Sequence, residues 1–413
     1  MDIYPAHVLD NAQNYRKILM SYMFRFNDIP DGQQLVDSLL ALLKIGDWRK
    51  LSGRFRLNEN GKLEIHVPRH FTSEAPAITY SHQVFAASVD THALGKWLPP
   101  PGHHSGVRQC SGLRDFVDIR LRNWSLVLNN RTGDVLPLVG ARDDTLEELL
   151  VRDTGQAEES VLDKLSIGLL GSIVLLIRAI WMTLRDPGYE RRVVILPQDE
   201  VSRLCVQARS DLKMQGGKEL FISEADVLAA WAARMVAASQ PRPRPVTIAS
   251  VINLRFTLDT LRETSGEYIH NLLQLAYVPI APGHTTAPLG ITALAHRQQV
   301  TEQCTKSQTL AYIRMQRDHT KATGDLKLMF GSPRAAFLKV NNLIRLDFFH
   351  NIDFSSAVIP SDDPGIGVGT RQNPAGTIVD YFTLSLNQAT IFTSDPCVLG
   401  KDHCGRIQML GTF

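Results

Sequence analysis

The stretch from residue 341 to 355, NNLIRLDFFHNIDFS, most constrains what this chain can fold into. Its aromatic and β-branched residues predict a strand followed by a turn. Asp353 lies between Ile352 and Phe354, which predicts that its carboxylate is partly buried. A buried carboxylate requires a partner that offsets its lost hydration. The sequence therefore predicts a cationic partner for Asp353.

The composition is that of an ordinary globular protein. The 413 residues suffice for two or three domains, and 44% of them are hydrophobic. The 44 basic and 42 acidic residues leave a formal charge of +2, which gives no electrostatic reason to expect nucleic acid as a partner. The 5 cysteines include no CxxC pair, so we expect neither a disulfide framework nor a structural metal site. A reducing, cytoplasmic compartment fits this cysteine usage, and no secretory signal is visible at the N-terminus.

One apolar run, residues 165–184, is long enough to span a bilayer. Arg178 lies inside it, together with two glycines and two serines, and a central arginine is costly in lipid. We therefore predict a buried helix here, and no membrane partner.

Periodic patterns predict the remaining elements. Leucines at 35, 39, 42 and 43 and apolar residues from 113 to 128 predict amphipathic helices, and Asn60-Gly61 predicts a hairpin turn. Ser223 and Asp226 resemble a capping box that opens a helix. Strands are predicted near 192–196, 246–255, 377–386 and 388–393, with helices over 288–317. The glycine-rich segment 365–369 is not followed by a helix, which excludes a dinucleotide-binding loop.

Strands and helices alternate in both halves, which predicts an α/β architecture with two lobes, residues 1–185 and 190–413. Taken in order, the segments resemble the fungal branch of the BAHD acyltransferases, the group that includes the trichothecene O-acetyltransferases. The resemblance covers nearly the whole chain and rests on residues 35–68, FISEADVL at 221–228, NLR at 253–255, YIHN at 268–271 and DFS at 353–355.

This resemblance implies a two-lobed, chloramphenicol acetyltransferase-like fold with a channel between the lobes. Acyl-CoA would enter from one face and the acceptor from the other, with no metal and no bound cofactor. The family's Asp-Phe-Gly aspartate pairs with an arginine, which proposes a structural pair of Asp353 and Arg255.

The same resemblance proposes substrate or channel positions at Asn342, His350, Asn271 and Ser223. His350 has two interpretations, as a core or supporting histidine and, secondarily, as a catalytic one.

The family's general base is the histidine of a His-x-x-x-Asp motif, and none of the 13 histidines here has aspartate four residues later. Counting back from Gly112 puts the two motif positions on Ser105 and Gln109, so we expect an incomplete N-terminal lobe near residues 104–111. Three explanations stay open: a mis-spliced form of an active enzyme, a degenerate ligand-binding member, or a rearranged site in which His103 or His104 is the base.

The functional hypothesis is an acyl-CoA-dependent O-acyltransferase that transfers acetyl to a hydroxyl of a fungal secondary metabolite. The alternative is an inactive, ligand-binding member of the same fold. The expected partners are acyl-CoA and a small-molecule acceptor, and a monomer is expected.

Overall fold

The computed structural model describes residues 1–16, 19–85, 92, 115–153, 158–185, 191–214, 220–239, 244–360, 373–386 and 397–412. Its strands are β1 (Asp2–Pro5), β2 (Leu19–Arg25), β3 (Arg54–Leu57), β4 (Leu63–Val67), β5 (Arg191–Leu196), β6 (Val246–Asn253), β7 (Leu273–Ile280), β8 (Ala336–Asn342), β9 (Asp380–Leu386), β10 (Cys397–Lys401) and β11 (Ile407–Thr412). Its helices are α1 (Gln13–Arg16), α2 (Gly32–Leu42), α3 (Asp115–Leu128), α4 (Thr145–Arg152), α5 (Leu169–Arg185), α6 (Gln198–Met214), α7 (Glu224–Ala238), α8 (Asp259–Arg262), α9 (Pro282–Thr286), α10 (Leu289–Gln303), α11 (Lys306–Thr323) and α12 (Phe348–Asn351).

These strands form three sheets. The N-terminal sheet has the order β1-β4-β3 and the larger sheet the order β5-β11-β10-β8-β6-β7. The third sheet pairs β2 with β9, so a strand from the start of the chain lies beside one from its end. The predicted α/β, two-lobed architecture is confirmed, while the division at residues 185 and 190 stays a prediction.

The larger sheet is covered on both faces. On one face, Leu338 and Val340 of β8 pack with alanines of α7. On the other face, Ala249 and Tyr277 pack against Leu146 from the N-terminal half of the chain. We call this second side of the sheet the inner face, because it meets the N-terminal lobe.

Strand β8 changes neighbours along its length. It pairs with β6 in parallel from Ala336 to Val340 and then with β10 at Asn341 and Asn342. The strand predicted within residues 341–355, ahead of its turn, is wrong beyond Asn342. The Asn342 Oδ1 accepts the Ile344 N–H at 2.9 Å, and Asp347 adopts a φ of 47°, so the chain turns into a short helical segment.

The aromatic residues of this segment are nonetheless buried in one core cluster. Phe348, Phe349 and Ile352 have no exposed surface and pack with Tyr381 and Leu399. The apolar pattern that predicted a strand therefore indicates that these side chains are buried, and the short helix α12 buries them as well as a strand would.

Several other predictions are confirmed. The leucine stripe lies in α2, and the hairpin of β3 and β4 turns at Gly61, which has a φ of 71°. The capping box of Ser223 and Asp226 opens α7. The predicted strand at 388–393 and the glycine-rich segment lie outside the described residues.

The prediction that residues 165–184 form a buried helix is half wrong. A helix is present as α5, but Leu169, Leu170, Leu176, Ile177 and Leu184 expose between 61% and 80% of their surface. Among the described helices, none combines the length and the apolarity that crossing a bilayer requires.

Gly376 supports the turn after the aromatic segment, and Gly376→Ala should destabilise the fold strongly. Its φ is 70°, and an added Cβ would lie 2.2 Å from the Ser355 backbone nitrogen. Gly61 has the same conformation with nothing within 4 Å, so Gly61→Ala should cost only the backbone strain of about 1–2 kcal/mol. Thermal unfolding should show a clearly larger fall in Tm for Gly376→Ala; equal shifts would contradict this packing.

Candidate functional site

The predicted pair of Asp353 and Arg255 is not formed. Asp353 is exposed, and its carboxylate accepts the Ser355 N–H at 2.8 Å. Its backbone carbonyl accepts the Asn129 Nδ2 at 2.8 Å, which fixes the segment without any ion pair. Because water and a local N–H solvate the carboxylate, it needs no buried cation, and the premise of partial burial is wrong.

Arg255 instead holds the loop that precedes β7. Its Nε donates to the Tyr268 carbonyl at 2.9 Å, and its Nη2 donates to the His270 carbonyl. This loop carries the YIHN residues 268–271 of the sequence analysis. Arg255 therefore positions the loop from the β6 side.

Five side chains on and around this loop form what we call the lobe-linking cluster: His7, Asp10, Lys50, Tyr268 and His270. The His270 Nδ1 lies 2.6 Å from Asp10 Oδ2, and Lys50 Nζ lies 2.7 Å from His270 Nε2. The His7 and His270 rings stack with centroids 3.5 Å apart. Asp10 and Lys50 come from the N-terminal lobe and His270 from the C-terminal one, so the cluster joins the two.

Burial sets the charge states in this cluster. It lowers the pKa of His7 to about 2 and that of Lys50 to about 8, and it lowers the pKa of His270 as well. For Asp10, burial alone would raise the pKa, but hydrogen bonding and attraction from His270 lower it overall. Neutral His270 therefore donates from Nδ1 to the Asp10 carboxylate and accepts from Lys50 at Nε2.

A histidine paired with aspartate is the arrangement of a general base. Here, however, Lys50 occupies the His270 nitrogen that would take the proton. Lys50 also donates to the carbonyls of Pro5 and Ala141, so it is held in place. The lobe-linking cluster therefore stabilises the contact between the two lobes.

A second buried histidine lies on the opposite face of the larger sheet. The His296 Nδ1 is 2.8 Å from Asp226 Oδ1, and its Nε2 is 2.8 Å from Ser250 Oγ. Burial would raise the pKa of Asp226, but hydrogen bonds from His296 and Ser223 lower it overall. The order serine, histidine, aspartate matches a nucleophilic relay, yet the three residues are 3–6% exposed.

Ser223, a predicted channel residue, belongs to this second network. Its Oγ donates to Asp226 Oδ2 at 2.6 Å, and its backbone N–H donates to the same oxygen at 2.8 Å. The hydroxyl is therefore used at the start of α7, on the helix side of the sheet and away from the inner face.

His350, another predicted channel residue, is exposed. Its Nδ1 lies 2.5 Å from Asp347 Oδ1, and its ring meets that of His403 edge-on at 4.6 Å between centroids. The structure thus places His350 in a surface pair on α12, neither in the core nor beside the lobe-linking cluster.

Asn271 differs from every residue above. Its side chain is 3% exposed, its backbone N–H donates to Asp10 Oδ1 at 3.1 Å, and neither its Oδ1 nor its Nδ2 has a partner among the described residues. An unpaired buried amide is costly, and such a group calls for an explanation such as a bound molecule. Asn271 is the predicted site residue with unused hydrogen-bonding capacity.

Two polar residues on β8 were not among the predicted site residues. Lys339 and Asn341 are buried, and Lys339 is in register with Ala249 on the inner face. Alternation along the strand puts Asn341 on the same side. The signal was present in AFLKVNN, where polar residues recur with a period of two among apolar ones. His103 and His104, the candidate bases, lie outside the described residues.

No family model matches the chain. Among curated proteins, acetyltransferase pyiB of Pyricularia grisea is 27% identical, over 98% of this chain and 89% of the relative. O-acetyltransferase PaAT-2 of Phomopsis amygdali is 26% identical, over 98% and 93% respectively. The pyiB alignment runs over 458 positions, more than the 413 residues here, so that relative carries residues within the matched span that this chain lacks.

Solved structures share the fold. The F. graminearum TRI101 complex with coenzyme A and T-2 mycotoxin superimposes with a TM-score of 0.61 at 11% identity, over 100% of this chain and 95% of that one. The F. sporotrichioides TRI101 complex with the same two ligands gives a TM-score of 0.60 at 11% identity, over 100% and 94%.

The two aspartates make a direct test of these assignments. Asp353→Ala should change stability by about 1 kcal/mol or less, because it removes one exposed cap. Asp226→Ala should cost about 3 kcal/mol or more, because it leaves His296 and Ser223 unpaired in the core. Thermal unfolding of both variants measures the contrast; a large loss in Asp353→Ala would restore the buried-pair prediction.

Stability should fall as pH drops below 6.5, the ordinary pKa of histidine. Between that pH and about 2, the unfolded chain binds a proton at His7 that the folded chain does not. Each such proton costs up to about 1.4 kcal/mol per pH unit. His7→Gln should flatten this dependence, relative to the natural protein, in urea unfolding at pH 7, 6 and 5. An unaltered slope in His7→Gln would contradict the assignment.

The chain therefore resembles fungal acetyltransferases over nearly its whole length and shares the fold of TRI101.

Proposed function

We propose that this protein transfers an acetyl group from acetyl-CoA to a hydroxyl group of a fungal secondary metabolite. The names of the curated relatives support acetyl transfer, and the TRI101 complexes pair coenzyme A with a mycotoxin on the same fold. Acyl-CoA is then a co-substrate, and the reaction requires no further cofactor.

The unpaired Asn271 amide is the observation that carries the proposed site. It lies beside Asp10 at the junction of the lobes, where the fold implies a substrate channel. The pantetheine arm of CoA contains amides, and the acceptor contains hydroxyls, so either substrate offers the donor and acceptor that Asn271 lacks. We place Asn271 in contact with substrate on this ground.

We propose that the wall of the substrate channel continues along the inner face to the end of β8. Asn341 lies on this face where β8 leaves β6 and joins β10, whereas Asn342 alternates to the opposite face and its Oδ1 accepts the Ile344 N–H. Ser223 and His350 are left out of the wall, because the first caps α7 and the second pairs with Asp347 at the surface.

Acyl transfer requires a base that removes the proton of the acceptor hydroxyl. Three buried histidines are excluded, because His7, His270 and His296 each have both ring nitrogens committed to partners. His103 and His104, the bases proposed from the sequence, lie outside the described residues and stay a prediction. The residues that pyiB has and this chain lacks keep open the explanation of a chain from which the motif has been lost.

Asn271→Leu separates the substrate role from a role in folding. Replacing an unpaired buried amide by an apolar side chain of similar size should keep or raise Tm, since no protein hydrogen bond is lost. The same change should lower kcat/KM for acetyl-CoA-dependent acylation by about 10-fold or more, the loss of one or two hydrogen bonds.

Activity is measured as CoA release and acceptor acetylation with a panel of hydroxylated fungal terpenoids and polyketides. Asn123→Leu is the matched control, because the Asn123 amide already donates to the Ile119 carbonyl at 2.8 Å, and its loss should lower Tm. Asn271→Leu with a lowered Tm and unchanged kinetics would refute the role. CoA binding with no release for any acceptor would favour the alternative of an inactive binding member, which the names of the relatives do not support.

We also infer a cytoplasmic monomer. Cys205, Cys304, Cys397 and Cys404 are not in disulfides, as expected of a reducing compartment. Light scattering after size exclusion tests the monomer directly.

A further inference from the structure

The α5 helix presents its apolar side outward, which is the reverse of the usual amphipathic arrangement. Its exposed residues recur at helical spacing and form one stripe, which we call the α5 stripe: Leu169, Leu170, Ile173, Val174, Leu176, Ile177, Ile180, Trp181 and Leu184. No charged residue interrupts this stripe.

The opposite side of α5 fastens the helix to the protein through polar and small residues. Arg178 Nη1 donates to the carbonyls of Pro333 and Ala335, and Gly171 lies against Pro333, where an added Cβ would be 3.5 Å from the proline Cγ. Just before the helix, Ser166 forms a β-bridge with Phe330. The helix is therefore held rigidly with its stripe facing away from the core.

The exposed area is large for a single molecule. The α5 stripe exposes on the order of 1,000 Å² of apolar surface, about twice the largest patch of a typical monomer. At 17 residues the helix is about 25 Å long, which suits a helix lying along a surface and is short for one that spans a bilayer.

Cations border the α5 stripe at the loop that anchors it. Exposed Arg334 lies within this loop, and Arg244 lies close enough to Arg178 to lower its pKa beyond the effect of burial. Among the described residues, no carboxylate forms an ion pair with Arg334 or Arg244. An apolar stripe with a basic border matches the interface of an anionic bilayer, where acyl chains meet phosphates.

We propose that α5 docks this protein on the surface of an anionic lipid bilayer, with the stripe among the acyl chains and with Arg334 and Arg244 at the headgroups. A second copy of the chain fits the charge less well. An isologous dimer would bring two further arginines to the patch, while α5 itself contributes no carboxylate. The proposal replaces the expectation that the protein has no membrane partner, and it does not depend on which acceptor is acylated.

Vesicle co-sedimentation of the full chain tests the proposal with phosphatidylcholine vesicles that contain 0 or about 30% phosphatidylserine, an anionic fraction that adds about 1 kcal/mol per bordering arginine. Binding should rise with phosphatidylserine and weaken with added salt. A triple variant with Leu170→Ser, Ile177→Ser and Leu184→Ser should lose at least 10-fold in binding with an unchanged Tm, since all three side chains are exposed. Arg334→Gln should weaken binding only to the anionic vesicles.

The matched control replaces three equally exposed apolar residues elsewhere, Val151→Ser, Val206→Ser and Met214→Ser, and should bind like the natural protein. No binding at either composition, or equal losses in both triple variants, would overturn the proposal. So would a dimer in size-exclusion light scattering that the α5 variant alone converts to monomer, because the occupant would then be a second copy.

Discussion

The contact between Asp10 and His270 is the interaction on which the two-lobed arrangement depends. It joins a residue near the start of the chain to the loop before β7, and Lys50 completes it from the N-terminal lobe. All three are polar groups in a buried setting, where an unpaired partner would cost several kcal/mol. The hydrogen bonds of the cluster therefore form only when the lobes are docked in one arrangement. The cluster thus fixes the position of one lobe relative to the other.

Proximity of a histidine to an aspartate is a poor guide to a catalytic position in this fold. Among the described residues, three histidines lie within 2.8 Å of an aspartate carboxylate, and two of these pairs, His270–Asp10 and His296–Asp226, are buried. In both buried pairs, the histidine nitrogen that would accept a proton already has a protein partner. Neither histidine is therefore placed to act as a general base. Asn271 shows the reverse pattern, because its side-chain amide has no partner among the described residues. Unused hydrogen-bonding capacity is the better guide to a substrate position here than proximity of acid to histidine.

The α5 helix and the proposed substrate site serve different functions in the same protein. The α5 stripe leaves a large apolar surface exposed, and the anchoring arginine of the helix donates to backbone carbonyls. A hydrophobic secondary metabolite partitions into membranes, so an acyltransferase resting on a bilayer would meet its acceptor at a high local concentration. This relation joins the two proposals, although each is tested by its own measurement.

The sequence by itself determined the elements whose signals are local. The α2 stripe, the Asn-Gly hairpin and the α7 capping box each depend on residues a few positions apart, and motif order was enough to predict the fold. Only the tertiary structure decided the rest. Whether Asp353 is buried, whether β8 ends at Asn342 and which side of α5 faces outward depend on surfaces far away in the chain. The partnership of Asp10 with His270 spans 260 residues, and no pattern in the sequence reports a pairing that only the docking of two lobes creates.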